Sequence, residues 1–60
     1  MIMADAFQGY IESSPDGYVY IWEFDEVFNI TKSEVSEILV WMIEHDIVDI
    51  DDHSRVSLNN

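Results

Sequence analysis

Thr31-Lys32-Ser33-Glu34-Val35-Ser36-Glu37-Ile38-Leu39-Val40-Trp41-Met42-Ile43-Glu44 is the stretch from which the rest of the chain can be read. Its first four residues form a capping box, in which the Thr hydroxyl and the Glu side chain each satisfy an orphan backbone N–H at a helix start. Ile30 before the cap and Val35 inside the helix supply the matching hydrophobic staple. Val35, Ile38, Leu39, Met42 and Ile43 then recur at helical spacing and predict one buried stripe. The spacing predicts a helix over 32–45. Its other side carries Ser33, Ser36, Glu37, Val40, Trp41 and Glu44.

Working back from the cap, Ile21, Phe24, Val27 and Phe28 share a helical face, with Glu23 and Glu26 away from it, which predicts a short helix at about 21–28. It overlaps Tyr18-Val19-Tyr20-Ile21-Trp22, a run rich in β-branched and aromatic residues that suits a short strand. Ser13-Ser14-Pro15-Asp16-Gly17 is the only cluster of breakers. Before it, Met3, Ala6, Phe7, Tyr10 and Ile11 fall on one helical face, and Pro15 lies where a helix stop belongs. A strand at 7–13 turning through Pro-Asp-Gly is the rival, but strict alternation fails there. Working forward, Ile47-Val48-Asp49-Ile50 and Arg55-Val56-Ser57-Leu58 read as two strands of a hairpin joined by Asp51-Asp52-His53-Ser54.

Composition bounds the function. The chain has 60 residues, no cysteine, and 13 Asp and Glu against two Lys and Arg, for a formal net charge of −11. One small domain spanning 1–60 is expected, and at this size it buries only about 60% of its unfolded surface. Without cysteine there is no disulfide or thiolate zinc site. With 48% hydrophobic residues a compact core is expected rather than disorder. The charge repels phosphate backbones and anionic membranes. No apolar run approaches the roughly 18 residues of a membrane span, and no basic-then-apolar leader opens the chain. A soluble, intracellular protein is the expectation.

The order helix, short strand, helix, tight turn, helix, hairpin resembles a winged helix-turn-helix domain. The likeness is specific from Tyr20 onward. Ile21 to Ile30 is similar to the family's second helix and turn, Thr31 to Leu39 to the start of its recognition helix, and Ile47-Val48 with Arg55-Val56-Ser57-Leu58 to its wing. The resemblance implies an α+β fold with three helices and a C-terminal β-hairpin wing. It covers nearly the whole chain, but it rests on apolar spacing and caps, which speak to fold more than to function. Two departures stand out. Asp46 occupies the place after the recognition helix where the family usually has Gly. The recognition surface carries Ser33, Glu34, Ser36, Glu37 and Val40 where DNA-binding members carry Lys, Arg, Asn and Gln.

Lys32 and Arg55 are the only two bases, and the first 30 residues hold six acids and none. Phosphate neutralisation supplies most non-specific DNA affinity, so two cations supply little. Direct DNA binding is therefore disfavoured. If the chain were a winged-helix regulator or DNA-associated subunit, dimeric or adapted to high salt, its contacts would be Lys32, Ser33, Ser36 and Arg55. The preferred expectation is a non-catalytic protein-binding module whose partner-binding residues are Glu34, Glu37, Val40, Trp41, Glu44 and Trp22. Tryptophan is enriched at interface hot spots. In its sharpest form the module mimics nucleic acid and occupies the cationic channel of a basic nucleic-acid-binding protein. Small size with this charge resembles the inhibitors that phages encode against host defence, anti-CRISPR and anti-restriction proteins among them. A Val40–Trp41 patch could equally be a homodimer seam. No catalytic motif, cofactor loop or metal-ligand spacing is present. Asp49, Asp51, Asp52 and His53 read as an acidic turn, and His45 as a helix C-terminal residue facing the dipole.

Overall fold

The structure, a computed structural model, describes residues 2–59. Its elements run α1 (Ile2–Glu12), β1 (Tyr18–Tyr20), α2 (Glu23–Phe28), α3 (Lys32–Glu44), β2 (Val48–Ile50) and β3 (Arg55–Leu58). The three strands form one antiparallel sheet in the order β1-β3-β2. The chain is thus a small α+β domain in which three helices pack on one antiparallel sheet. The hairpin expected over 47–58 gains a third strand. β1 pairs with β3 through Tyr18↔Ser57, Val19↔Val56 and Tyr20↔Arg55, and the Ile21 N–H donates to the Ser54 carbonyl at 2.9 Å to continue that edge.

Strand alternation sorts the side chains. Val19, Val48 and Val56 point inward and are buried, while Asp49 points outward to solvent. Against the valines pack Ala4, Phe7 and Ile11 of α1, Phe24 of α2, and Val35, Ile38, Leu39 and Met42 of α3. Phe7 and Phe24 stack with ring centroids 4.1 Å apart, and Tyr10 and Phe28 close around them. No polar or charged residue is buried among the described residues.

α3 begins as its sequence predicts. The Glu34 N–H donates to Thr31 Oγ1 at 3.1 Å and the Thr31 N–H donates to Glu34 Oε1 at 3.1 Å, completing the capping box. It ends on Asp46 in the left-handed region, φ 57°. The Asp46 N–H donates to the Ile43 carbonyl and the Ile47 N–H to the Met42 carbonyl, which is the Schellman arrangement usually built on Gly. Asp takes that role because its short polar side chain tolerates the left-handed region better than most.

Two expectations are corrected. Ile43, read as part of the buried stripe, is 43% exposed, and Val27, read on the core face of the second helix, is 51% exposed. Both lie where a six-residue α2 and a three-stranded sheet run out of partner surface. The second helix also starts at Glu23, because Tyr18–Tyr20 is drawn into the sheet and Ile21-Trp22 form the turn between them.

Candidate functional site

The flanks of α3 facing away from the core carry two adjoining surface depressions of different character. The first, of about 350 Å³, is lined by Ser36, Glu37, Val40, Trp41 and Glu44. All five lie on one side of α3 at i, i+1, i+4, i+5 and i+8, so a single helix presents two carboxylates around an apolar centre. Val40 is 52% exposed. Trp41 is half-buried, because one part of its ring packs on the core and the His45 ring stacks on it at 4.0 Å. His45 Nδ1 lies 2.8 Å from the Trp41 carbonyl, and since a carbonyl only accepts, the proton of that contact sits on Nδ1. The contact to a last-turn carbonyl is the helix-end role that the sequence position suggests.

The second depression is an open groove of about 400 Å³ between the start of α2, α3 and the hairpin. Its apolar surface comes from Ile21 and Trp22 before α2, Val35, Leu39, Val40 and Ile43 of α3, and Ile50 of β2. Asp25, Lys32, Ser36 and Ser54 supply its polar atoms. Trp22, Val40 and Ile43 are three of the four large hydrophobic residues left exposed among the described residues. Trp22, 58% exposed, is held by stacking on Tyr20, 4.6 Å between centroids and 6° from parallel.

The partner-binding residues expected from the sequence therefore divide. Glu37, Val40, Trp41 and Glu44 come together. Trp22 joins Val40 at the groove instead, with Val40 and Ser36 shared by both depressions. Glu34 lines neither, because its carboxylate is held in the capping box by both the N–H and the hydroxyl of Thr31. The groove has no counterpart in any local sequence pattern, since Ile21, Asp25, Ile50 and Ser54 meet only through tertiary packing.

The residues of the DNA-binding alternative also separate. Ser33 and Lys32 are exposed in the first turn of α3, and Lys32 and Ser36 line the groove. Arg55 is engaged elsewhere. Its Nε donates to Asp51 Oδ2 at 2.6 Å and its guanidinium lies 5.2 Å from the Tyr18 ring centroid. The Asp51 carboxylate pushes the Arg55 guanidinium above its ordinary value through that hydrogen bond and its charge. Desolvation alone would raise the Asp51 carboxyl, but the Arg55 and His53 N–H groups and the Arg55 guanidinium outweigh it and hold it below its ordinary value. Asp51 thus organises the hairpin turn. Among the described residues no group of three or more His, Cys, Asp or Glu is disposed to hold a metal ion. None of their helices is long and apolar enough to cross a membrane.

No family model, curated protein or solved structure matches this chain.

Proposed function

We propose that this chain is an acidic winged-helix-like module that binds a basic protein through the outer face of α3. The observation that carries the reading is the depression in which Glu37 and Glu44 frame Val40 and Trp41 with no base among its lining residues. Carboxylates at the rim steer a cationic partner and raise its on-rate, while the apolar centre supplies the contact that slows its release. The order helix, strand, helix, helix, hairpin, with β1 on the outer edge of β3, supports the winged-helix assignment. In that fold α3 is the helix offered to the major groove. On this chain the same face offers acids, so the natural partner class is a nucleic-acid-binding protein whose cationic channel accepts it. The ion pair of Arg55 with Asp51 further weakens the direct-DNA reading, since it ties up one of the two bases.

The test uses duplex-DNA resin loaded with a mixture of basic DNA-binding proteins. Free protein is expected to displace a subset of them, and the Glu37→Lys/Glu44→Lys double variant to lose that ability. A direct control is anisotropy of labelled duplex DNA at low salt, where no saturable binding is expected. Saturable, salt-sensitive binding to the duplex would replace the reading with a DNA-binding one, in which Lys32 is the first contact to substitute. Equal displacement by the wild type and the double variant would reject the acidic face.

A further inference from the structure

The geometry points to the groove between α2, α3 and the hairpin as the docking site of a basic amphipathic helix from the partner, seated on Trp22, Val40, Ile43 and Ile50 with a Lys or Arg donor directed at Asp25. The inference deepens the protein-binding reading and rests on it, but it uses different residues from the acidic depression.

Three observations carry it. Three of the four exposed large hydrophobic residues among the described residues converge on this one groove: Val40 and Ile43 share a face of α3, and Trp22 comes from the turn before α2, which no local pattern brings to them. Scattered single hydrophobics on a surface mean little, whereas a shared groove marks an interaction site. Along α3 the groove side is Lys32, Val35, Ser36, Leu39, Val40 and Ile43, at i, i+3, i+4, i+7, i+8 and i+11. That spacing makes a ridge-and-groove surface against which a second helix packs, and apolar anchors at i, i+3 or i+4 and i+7 are how such a helix is read.

The third observation is Asp25. Its Oδ1 is buried with no hydrogen-bond partner, and the residue lines the groove. Lys32 lines the same groove but forms no ion pair with it; the one ion pair among the described residues is Arg55–Asp51. A desolvated, unpartnered carboxylate oxygen is costly, so a donor that reaches Asp25 relieves that cost as well as forming a bond. The carboxylate torsion is soft and lets the inward oxygen turn toward an arriving cation. Asp25 therefore gives the apolar groove a charge preference, and the chain's −11 balance extends that preference to approach from a distance. The same charge opposes occupation by a second copy of this chain.

The experiment exploits the two tryptophans, one at each depression. Trp22 and Trp41 give two indole N–H signals in a nitrogen–proton correlation spectrum, assigned with single Trp→Phe variants. The probe is a synthetic amphipathic helical peptide of Leu and Lys, compared with Leu/Gln and Leu/Glu peptides of the same pattern. Addition of the Leu/Lys peptide is expected to shift the Trp22 indole and the Ile43 and Ile50 methyls. Asp25→Asn is expected to weaken that binding about tenfold, the worth of one charge-assisted hydrogen bond, while leaving the Leu/Gln peptide unchanged. Lys32→Gln is expected to tighten it.

Shifts confined to Trp41 and its neighbours would overturn the groove as the site while leaving the acidic-face reading intact. Tighter binding of the Leu/Glu peptide would overturn the charge assignment and make Lys32 the recognition group. Shifts of Trp22 and Ile43 that track protein concentration without any peptide would identify a second copy as the occupant and reject the basic helix. Absence of shifts at both indoles would reject the groove proposal, with the displacement assay on duplex-DNA resin then deciding the acidic face separately.

Discussion

Phe7, Phe24, Phe28 and Tyr10 form one cluster of rings inside the molecule, and Tyr18, Tyr20 and Trp22 form another along its outer surface. Their geometries are alike. Phe7 and Phe24 stack at 4.1 Å, Tyr20 and Trp22 at 4.6 Å, and each cluster adds edge-on contacts, Tyr10 against Phe24 in one and Tyr18 against Tyr20 in the other. Their surroundings are opposite. Phe7 and Phe24 are fully buried, and Trp22 is more than half exposed. The difference teaches that burial, not ring stacking, separates what holds this fold from what the fold displays. Apolar area withdrawn from water contributes about 1.5–3 kcal/mol for a side chain of this size, whereas a stacked pair adds about 0.5–1.5 kcal/mol at best.

The largest test of that contrast is Phe24→Ala. It removes the ring that touches Phe7, Tyr10 and Phe28 together, and a loss of about 3–5 kcal/mol is expected. A domain of this length has only about 3–9 kcal/mol in total. Denaturant titration followed by far-ultraviolet circular dichroism should find the variant largely unfolded in water, or with its midpoint moved far down. A loss below about 1 kcal/mol would mean that the inner cluster is no more structural than the outer one.

A smaller effect is expected where the two clusters are tied together. Glu23 takes a hydrogen bond from the Tyr10 hydroxyl at 2.7 Å and another from the Tyr20 N–H at 2.7 Å, so one carboxylate joins α1 to the end of β1. Glu23→Gln leaves one of these donors without an acceptor and is expected to cost about 1–2 kcal/mol. The hydrogen bond to Glu23, then desolvation, then the carboxylate's charge raise the Tyr10 phenol above its ordinary 10.0. A raised folded value means that the folded state holds the proton more tightly. This contribution is therefore complete below the unfolded pKa, near 10.0, and is lost as pH rises through the folded one. Phenolate absorbance against pH should show two tyrosines titrating late in the wild type, Tyr10 and the Tyr18-neighboured Tyr20, with only the Tyr10 component returning toward the ordinary range in Glu23→Gln.

How far the sequence could be read follows the same division between local and assembled features. The capping box at Thr31 and Glu34, the stripe Val35-Ile38-Leu39-Met42 and the strand run Arg55-Val56-Ser57-Leu58 are local patterns, and each appears in the structure where the sequence places it. Ile43 and Val27 carry the same spacing and are nevertheless exposed, because periodicity names a helix face but not how far the neighbouring layer extends. The pairing of β1 with β3 and the groove around Trp22 depend on residues far apart in the chain, which no window of sequence contains. Asp46 is an intermediate case. A departure from the expected Gly was visible, but its left-handed backbone was not. Asp46→Gly removes the Cβ penalty there, and a gain of about 0.5–1 kcal/mol is expected by thermal or denaturant unfolding. A loss instead would show that the Asp side chain itself stabilises the turn.

The outer cluster should respond least in stability and most in recognition. Trp22→Ala removes a ring that contacts Tyr20 on one face and leaves the rest to solvent, so the folding free energy should move by no more than about 0.5 kcal/mol. An exposed pair recovers little, because in the unfolded chain the same ring is only somewhat more hydrated. For the same reason the ring is available to a partner, which can withdraw its remaining surface from water and hold it in a position already set by Tyr20. That prior ordering lowers the entropy cost of docking. A binding loss of about tenfold or more for the Leu/Lys helix, with unchanged denaturant midpoint, is the combination that places Trp22 on the functional side of the contrast. If Trp22→Ala instead lowered stability as far as Glu23→Gln does, the ladder Tyr18-Tyr20-Trp22 would be a brace for the α2 turn. Its exposure would then say nothing about recognition, and the groove would rest on Val40, Ile43, Ile50 and Asp25 alone.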